Sequence, residues 1–490
     1  MSESQFEKYL NKTNEIGYID SVNHSIIRVS GLPDLKPNER VIVEGDQQGI
    51  AYNLKEEGAE ILMIDDQNLK TKKRVTRTDN FFRIEVSSEL KGRIIDPLCN
   101  PIDNKGPISG EKSYRELENP APNITERDIV KRPLETGVSK VDLLVPLGHG
   151  QRELILGDKK TGKTTFLLQT IANQAKQGTT CIYVSIGKKS SDLREVENYL
   201  KRLGIKDNVI IIRAGAGESS PLLYIAPYSG MSIAEYFRDK GDDVLIVFDD
   251  LTTHAKIYRE ISLILKRPPG RSSYPGDIFH IHASLLERAG NIKSNKKKES
   301  ITALPVANTL ENDISGYVQT NLMAITDGHI FFNNEHFKKG IKPAIDAFLS
   351  VSRVGNQTKN HLDQELAQVI RRKMSNYNRA LEIARFGVEL PEETKKILDI
   401  GEKIDVIFSQ SSKIILSRSF QLILVGLLLF EYWENNTASE VEKEIEKLTQ
   451  HYKEGDLLSL ETKIKKAEDF EDFENKIRAL IPKIRRLKEN

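Results

Sequence analysis

Residues 157–164 restrict the fold of this chain more than any other segment. They read Gly-Asp-Lys-Lys-Thr-Gly-Lys-Thr and match the pattern G-x-x-x-x-G-K-[ST]. The apolar run Leu154–Leu156 precedes them as a strand would, and Thr165–Ala172 follows with the composition of a helix. The segment therefore predicts a phosphate loop, in which glycines let backbone N–H groups turn toward phosphate oxygens at the start of a helix.

The side chains of this loop suit a nucleotide bound with magnesium. Lys163 can reach the β- and γ-phosphates, and the hydroxyl of Thr164 can ligate Mg²⁺. The alternative is a glycine loop without a ligand, which the flanking strand and helix make the weaker interpretation. The residues predicted to contact ATP or ADP here are Gly157, Asp158, Lys159, Lys160, Thr161, Gly162, Lys163, Thr164 and Thr165.

The overall composition narrows the class of protein. A length of 490 residues predicts roughly three domains. The net charge of +1, from 72 basic and 71 acidic residues, creates no general attraction to nucleic acid or to a membrane surface. The two cysteines, Cys99 and Cys181, provide no disulfide framework, which suits a reducing cytoplasm. The longest apolar run, Phe420–Phe430, is too short for a bilayer core of ~30 Å and predicts a buried helix.

Three sequence textures divide the chain. Over residues 1–93, short β-rich runs alternate with turn residues, which predicts a small all-β barrel or sandwich as the N-terminal domain. Over residues 94–378, strand-like runs such as Val244–Phe248 alternate with helical patterns, which predicts an α/β nucleotide-binding domain with a mostly parallel sheet. Residues 379–490 predict a C-terminal helical domain, whose last part, from Glu440 onward, reads as a solvated pair of amphipathic helices.

Asp249 directly follows the apolar run Val244–Phe248. A buried strand that ends in Asp places a carboxylate at the carboxyl edge of the sheet, where it can hold magnesium. Asp249 is therefore the second predicted magnesium ligand, together with Thr164. An Asp at this position can instead cap the helix that follows, and the sequence leaves this alternative open.

From Gly17 to about Tyr432 the chain resembles the alpha subunit of F1-type ATP synthases. The resemblance implies a P-loop NTPase core of the RecA-like class, an N-terminal β-barrel and a C-terminal α-helical domain. The segments that carry it are Gly150–Leu154, Ala226–Gly230, Glu235–Asp239, Arg267–Arg271, Tyr274–Asp277, Leu286–Ala289, Thr302–Pro305, Ile325–Gly328 and Ser350–Gly355.

The same resemblance implies partners and a place in the cell. Alpha subunits of this family alternate with catalytic beta-type subunits in an alpha3beta3 hexamer around a central gamma-type shaft, and stalk subunits are further candidates. No nucleic acid is implied as a partner. The complex alone would bring the chain to a membrane, as a peripheral component on the cytoplasmic face of the cell membrane.

Lys188 and Arg353 carry opposite implications for catalysis. Catalytic paralogues have a glutamate at the position of Lys188, and an ammonium cannot act as a general base at neutral pH unless its pKa is strongly depressed. The resemblance therefore implies nucleotide binding without turnover, and an ordinary surface lysine is the alternative for Lys188. The arginine at the position of Arg353 reaches the phosphates in the neighbouring beta subunit, so Arg353, in trans, and Ser350 are the implied catalytic residues.

The adenine side of the implied site departs from the family pattern. Lys342 stands where an arginine usually packs by the adenine, and Gln410 matches one of two glutamines that contact it. Both residues are expected to bind the nucleotide. Phe408 replaces the second glutamine, and Lys160 replaces a glutamine in the phosphate loop. These departures predict a divergent member that binds nucleotide weakly.

Several functions remain open on the sequence. The first is the alpha subunit of a proton-coupled ATP synthase. The second is an alpha-like subunit of an F1-like ATPase that drives another machine, such as gliding motility or surface protein handling. The third is a homohexameric translocase of the flagellar or Rho type, against which Lys188 counts because such enzymes need their own catalytic glutamate. A structural ring spacer without nucleotide is the fourth.

Overall fold

The computed structural model describes residues 4–65, 68–293, 299–384 and 390–489. These residues form two compact units. Unit 1 takes its described residues from Met1–Ile129, Ala175–Asn308 and Ile314–Thr326, and unit 2 from Val130–Gln174, Thr309–Asp313 and Asp327–Asn490. Among the helices of the described ranges, none is long and apolar enough to cross a bilayer.

The described residues alternate between strands and helices along most of the chain. The strands are β1 (Gly17–Asn23), β2 (Ile26–Ser30), β3 (Glu39–Val43), β4 (Gln47–Lys55), β5 (Gly58–Met63), β6 (Arg74–Phe81), β7 (Arg83–Val86), β8 (Ile94–Ile95), β9 (Ser113–Glu116), β10 (Pro133–Leu134), β11 (Leu147–Gly148), β12 (Glu153–Asp158), β13 (Thr180–Lys188), β14 (Val209–Gly215), β15 (Val244–Asp249), β16 (Gly290–Asn291), β17 (Ser300–Thr309), β18 (Gly328–Phe332) and β19 (Ile345–Ser352). The α-helices are α1 (Gln5–Thr13), α2 (Ser139–Leu144), α3 (Lys163–Lys176), α4 (Ser190–Arg202), α5 (Ser220–Asp239), α6 (Leu251–Ile264), α7 (Ile278–Glu287), α8 (Tyr317–Ile325), α9 (Asn334–Lys338), α10 (His361–Ala384), α11 (Glu392–Phe408), α12 (Arg418–Leu429), α13 (Ala438–Glu454), α14 (Leu458–Ile464) and α15 (Phe470–Glu489).

The first six strands close into an antiparallel barrel in the order β1-β2-β5-β4-β3-β6. Closure leaves no exposed sheet edge, and alternate side chains of each strand point into the barrel. Helix α1 packs against the barrel through Phe6, which is buried. The predicted N-terminal β-barrel is confirmed. The buried residues of the barrel core are Ile19, Ile27, Val29, Leu35, Val41, Val43, Ala51, Ala59, Ile61, Met63 and Val75.

The α/β part of unit 1 is a parallel sheet in the order β17-β15-β13-β14-β8. All residues of Val244–Asp249 are buried, as expected for a strand covered on both faces. Helix α5 packs against three of its strands, β13, β14 and β15. Cys99 and Cys181 are both buried and do not form a disulfide bond. This arrangement confirms the predicted α/β core.

Unit 2 combines a small sheet with the C-terminal helices. Strand β12 pairs in parallel with β18, which pairs antiparallel with β19. The apolar run near residue 420 forms α12, whose residues Phe420–Leu427 are buried, so the predicted buried helix is confirmed. The predicted helical C-terminal domain is confirmed as well. Its last part holds α13, α14 and α15 rather than a pair of helices, because Gly455 in the left-handed conformation ends α13 early.

One of the two predicted domain boundaries falls between secondary-structure elements, and the other falls inside a helix. The boundary after residue 93 falls directly before β8, whereas the boundary after residue 378 falls inside the continuous helix α10. The three domain ranges therefore stay proposals.

Candidate functional site

The predicted phosphate loop lies between β12 and α3, the strand and the helix that the sequence indicated. Three residues give the loop its tight path through positive φ angles: Gly157 at 151°, Lys160 at 66° and Gly162 at 100°. A Cβ at Gly157 would lie 2.5 Å from the carbonyl oxygen of Phe332, so β12 can approach β18 this closely only with glycine there. The backbone of the loop is thus set by its own residues.

Asp158 holds the loop in place. Its carboxylate accepts hydrogen bonds from Thr309 Oγ1 at 2.5 Å, from the Asn312 backbone N–H at 3.1 Å and from Asn334 Nδ2 at 3.1 Å. Thr161 Oγ1 donates to the Asp158 carbonyl at 2.8 Å. A carboxylate engaged in this way positions the loop and does not itself attract a phosphate.

The loop lysine is folded back onto the loop. Lys163 Nζ donates to the carbonyl oxygens of Gly157 at 2.7 Å and Asp158 at 2.6 Å, and the side chain is buried. Phosphate oxygens are negatively charged and would accept stronger hydrogen bonds from Lys163 than these two carbonyls do. Thr164 and Thr165 are half-buried at the start of α3, whereas the remaining predicted contacts Lys159 and Lys160 are exposed.

Lys342 and Gln410, the two residues predicted on the adenine side of the site, are joined by a backbone hydrogen bond. The Gln410 backbone N–H donates to the Lys342 carbonyl at 2.7 Å. The Gln410 side chain is buried; its Nε2 donates to the Gly137 carbonyl at 2.7 Å, and its Oε1 accepts from the Ser139 backbone N–H at 3.1 Å. Lys342 is exposed. The Gln410 amide thus braces the start of α2, and contact with an adenine would require an exchange of these bonds.

Arg353 follows the last residue of β19, on a turn that is tightly held. Its backbone N–H donates to the Asp327 carbonyl at 3.0 Å. Asp327 in turn forms a bidentate ion pair with Arg152, with Nη2 2.7 Å from Oδ1 and Nε 3.1 Å from Oδ2. A Cβ at Gly355 would lie 1.7 Å from the Pro146 carbonyl oxygen, so the turn after Arg353 accepts only glycine.

The guanidinium of Arg353 is less constrained than the backbone of the same residue. The side chain is exposed, and it forms no hydrogen bond or ion pair with any residue that the structure describes. Ser350, the second implied catalytic residue, is buried; its Oγ accepts from the Phe331 backbone N–H at 2.9 Å and donates to the Asp346 carbonyl at 2.5 Å. Ser350 therefore connects β18 to β19, and the unpaired cation of this segment is Arg353.

Asp249 belongs to unit 1, where it faces a cation. Lys188 Nζ lies 2.6 Å from Asp249 Oδ2, and the Tyr183 hydroxyl donates to the same oxygen at 2.6 Å. Burial raises the pKa of the Tyr183 hydroxyl well above its usual range, and the nearby Asp249 carboxylate raises it further. The interpretation of Lys188 as an ordinary surface lysine is wrong, because its side chain is 20% exposed and paired.

The structure assigns the helix cap to the neighbouring aspartate. Asp250 precedes α6, and its Oδ1 accepts from the Thr253 backbone N–H at 2.6 Å. Its Oδ2 accepts from Asn308 Nδ2 at 2.8 Å. Burial, and then the charge of Asp249, raise the pKa of the Asp250 carboxyl. The open alternative for Asp249 is thereby decided: Asp250, not Asp249, caps the helix.

Magnesium fits the predicted ligands only in part. Mg²⁺ prefers carboxylate, hydroxyl and water oxygens, and Thr164 and Asp249 offer such atoms in unit 2 and unit 1 respectively. At Asp249 Oδ2, however, an ammonium and a phenol hydroxyl already make close contacts. A divalent cation does not fit at this oxygen while Lys188 stays paired with it.

The sequence did not predict the hydrogen bonds and ion pairs that hold these residues in place. The Asp158 contacts, the Arg152–Asp327 pair and the Lys188–Asp249 pair all join positions far apart in the chain. The motif segments that contain Arg152 and Asp327 were visible in the sequence, but nothing in either segment indicates that the two side chains pair. A polar residue on an otherwise buried strand, such as Tyr183, was the available signal near Asp249.

The buried carboxyl of Glu153 should make the stability of the protein depend on pH. It is fully buried on β12; its Oε2 accepts from Gln151 Nε2 at 2.7 Å, and its Oε1 has no hydrogen-bond partner among the residues that the structure describes. Burial raises the pKa of the Glu153 carboxyl well above its usual range. A raised carboxyl pKa in the folded state means that its contribution to stability is complete at low pH and is lost as pH rises.

We therefore expect the wild type to lose more thermal stability than Glu153→Gln as the pH is raised from about 5. The amide keeps the shape of the side chain and cannot ionise. Melting temperatures of the isolated chain at increasing pH are the measurement, and Glu335→Gln, at an exposed position, is the control that should follow the wild type. An equal pH dependence in wild type and Glu153→Gln would contradict the assignment.

Two models of one protein family match long segments of this chain. The model of the ATP synthase alpha/beta family nucleotide-binding domain matches residues 137–352. The model of the C-terminal domain of ATP synthase alpha and beta chains matches residues 357–484. The first match contains the phosphate loop, Lys188 and Asp249, and the second contains Gln410.

Individual relatives resemble the chain over most of its length. ATP synthase subunit alpha of Staphylococcus aureus is 39% identical over 474 residues, which cover 96% of this chain and 94% of the relative. ATP synthase subunit alpha of Caldanaerobacter subterraneus subsp. tengcongensis is 41% identical over 431 residues, covering 88% and 85%. The subunit alpha of Neorickettsia sennetsu is 40% identical over 432 residues, covering 86% and 85%.

Proposed function

The chain belongs to the ATP synthase alpha/beta family, and we propose that it is the nucleotide-binding, non-catalytic alpha subunit of a rotary F1-type ATP synthase or ATPase. The observation that carries this proposal is that the chain has a complete phosphate loop but has a lysine, Lys188, at the position where turnover would need a carboxylate. ATP or ADP is the ligand in this proposal. Its phosphates lie against the residues from Gly157 to Thr165, with Lys163 as the main cationic contact.

The absence of turnover follows from the chemistry at Lys188. Hydrolysis requires a group that accepts a proton from the attacking water or orients it. The Lys188 ammonium has only donors, and it is held by Asp249 at 2.6 Å. Asp250 is not a substitute, because its carboxylate is engaged by Thr253 and Asn308. This chain therefore binds nucleotide and leaves hydrolysis to a partner.

The partner in this proposal is a catalytic beta-type subunit, and the two alternate in an alpha3beta3 hexamer around a gamma-type shaft. Arg353 supports the arrangement, since its exposed guanidinium has no partner within the part of the chain that the structure describes. In the hexamer it would contact the phosphates bound by the neighbouring subunit, where a planar, permanently charged group stabilises the transition state. The complex, with its stalk subunits, brings the chain to the cytoplasmic face of the cell membrane.

Two measurements test this function. The isolated chain should bind ATP, as detected by calorimetry, and show no steady ATP turnover above a Lys163→Ala control. The native complex should have the mass of an alternating hexamer with a shaft subunit. Steady turnover by the pure chain would refute the non-catalytic role. A fully active homohexamer would instead favour the translocase alternative, and the other subunits in the native complex would identify the machine it drives.

A further inference from the structure

A tight turn directly after β17 is attached to the phosphate loop. In residues 310–313 the Asp313 backbone N–H donates to the Leu310 carbonyl at 3.0 Å. The two residues between them have positive φ angles, 53° for Glu311 and 62° for Asn312. Two such angles are the pattern of a type I′ turn, in which asparagine is common and glutamate is not. Contacts outside the turn must therefore hold it in this conformation.

Those contacts converge on the carboxylate of Asp158, the second residue of the phosphate loop. The Asn312 backbone N–H lies 3.1 Å from Oδ1 and 3.3 Å from Oδ2. Thr309 Oγ1 donates to Oδ1 at 2.5 Å, and Asn334 Nδ2 donates to Oδ2 at 3.1 Å. Asn312 also fixes this last donor, because its Oδ1 accepts from the Asn334 backbone N–H at 2.9 Å. We call Thr309, Asn312 and Asn334 the latch; they and Asp158 all belong to unit 2.

Asp158 puts a negative charge into a loop whose other features suit an anion. It is the only acidic residue from Gly157 to Thr165. The backbone N–H groups of a phosphate loop and its lysine attract phosphate oxygens. A carboxylate in the same short loop repels them, and burial strengthens the repulsion because less water screens it. Asp158 is buried, so the position of its carboxylate matters for nucleotide binding.

We propose that the latch sets the ATP affinity of the phosphate loop by holding the Asp158 carboxylate away from the bound phosphates. This inference rests on the proposed function, because it presupposes ATP on the loop. Donors at the latch stabilise the charge where it stands and so oppose its movement toward the nucleotide. The residues of the latch are positioning residues, since they act on the nucleotide only through Asp158. The effect is reciprocal, and bound ATP should in turn strengthen the contacts of the latch.

The first experiment measures ATP binding to the full-length protein, freed of bound nucleotide, by isothermal titration calorimetry. Thr309→Val keeps the shape of the side chain but removes one donor, and its affinity should fall about tenfold. Adding Asp158→Asn to this variant removes the negative charge, and the affinity should return to within about threefold of the wild type. A latch that only shaped the loop would not be rescued in this way. Thr449→Val, which removes a buried hydroxyl from α13, is the matched control.

The second experiment needs no variant. The Asn312 amide donates directly to Asp158, so its hydrogen exchange reports on the latch. In the wild type, saturating ATP should slow the exchange of this amide about fivefold or more relative to the amides of α13.

The outcomes separate this inference from the function on which it rests. If the wild type binds ATP but Thr309→Val binds it equally well, the inference is overturned and the proposed function stands. The same holds for a loss that Asp158→Asn does not restore, and for an Asn312 amide that exchanges as fast with ATP as without it. Failure of the wild type to bind ATP overturns the proposed function and this inference together.

Discussion

A complex assembled with Arg353→Ala is expected to lose ATP turnover by about 10²–10⁴-fold, with nucleotide affinity at the catalytic sites changed much less. In the proposed hexamer the guanidinium stabilises charge that develops on the γ-phosphate, and this interaction is strongest in the transition state. Loss of such an interaction lowers the rate constant for turnover rather than substrate binding.

The support beneath Arg353 explains why its replacement should act locally. The backbone N–H of Arg353 is bound to the Asp327 carbonyl, and Asp327 is fixed by Arg152. Neither contact involves the Arg353 side chain. The turn should therefore keep its conformation in Arg353→Ala. Arg353→Lys keeps the charge but loses the planar fork, and it should still lose most of the rate.

The measurement is multi-site ATP hydrolysis by the reconstituted complex, with assembly checked by gel filtration. Arg372→Ala, at an exposed arginine of α10, controls for the general loss of a positive charge from unit 2. Near-normal turnover in an assembled Arg353→Ala complex would remove the trans-acting role from Arg353.

The fold was predictable because its signals are local. The short alternating runs of the barrel, the fully apolar run Val244–Phe248 and the glycines of the phosphate loop each determine nearby structure through periodicity or φ angles. The division of the C-terminal region was less predictable. A single residue, Gly455, ends α13, and only the fold shows that the helices beyond it are separate.

The site was predictable in its motifs and not in its pairings. The sequence indicated Asp249 as a polar residue at a strand end, but which of two adjacent aspartates caps α6 depends on backbone geometry. The ion pair of Lys188 joins the ends of β13 and β15, directly after a register shift between β13 and β14, so it depends on how these strands pair. For Gln410, the resemblance indicated a nucleotide contact, whereas its amide bonds the backbone of residues 137–139.

Lys163→Ala is expected to weaken ATP binding to the isolated protein by about 100-fold. The Lys163 ammonium is buried within the phosphate loop and rests on two backbone carbonyls, at 2.7 Å and 2.6 Å. A triphosphate would replace these neutral acceptors with charged oxygens, which form stronger hydrogen bonds. Calorimetric titration with ATP measures the loss, and Lys176→Ala, at the exposed last residue of α3 and outside the loop, should bind nearly as well as the wild type.

The same substitution separates the two kinds of site in the complex. If this subunit only binds nucleotide, Lys163→Ala removes a ligand that is not hydrolysed, and turnover on first mixing should fall far less than the ATP affinity of this subunit. The matched comparison is the equivalent lysine substitution in the phosphate loop of the catalytic partner, which should abolish turnover directly. Should turnover on first mixing collapse equally in both complexes, hydrolysis must occur at the phosphate loop that contains Lys163, and its assignment as non-catalytic would be wrong.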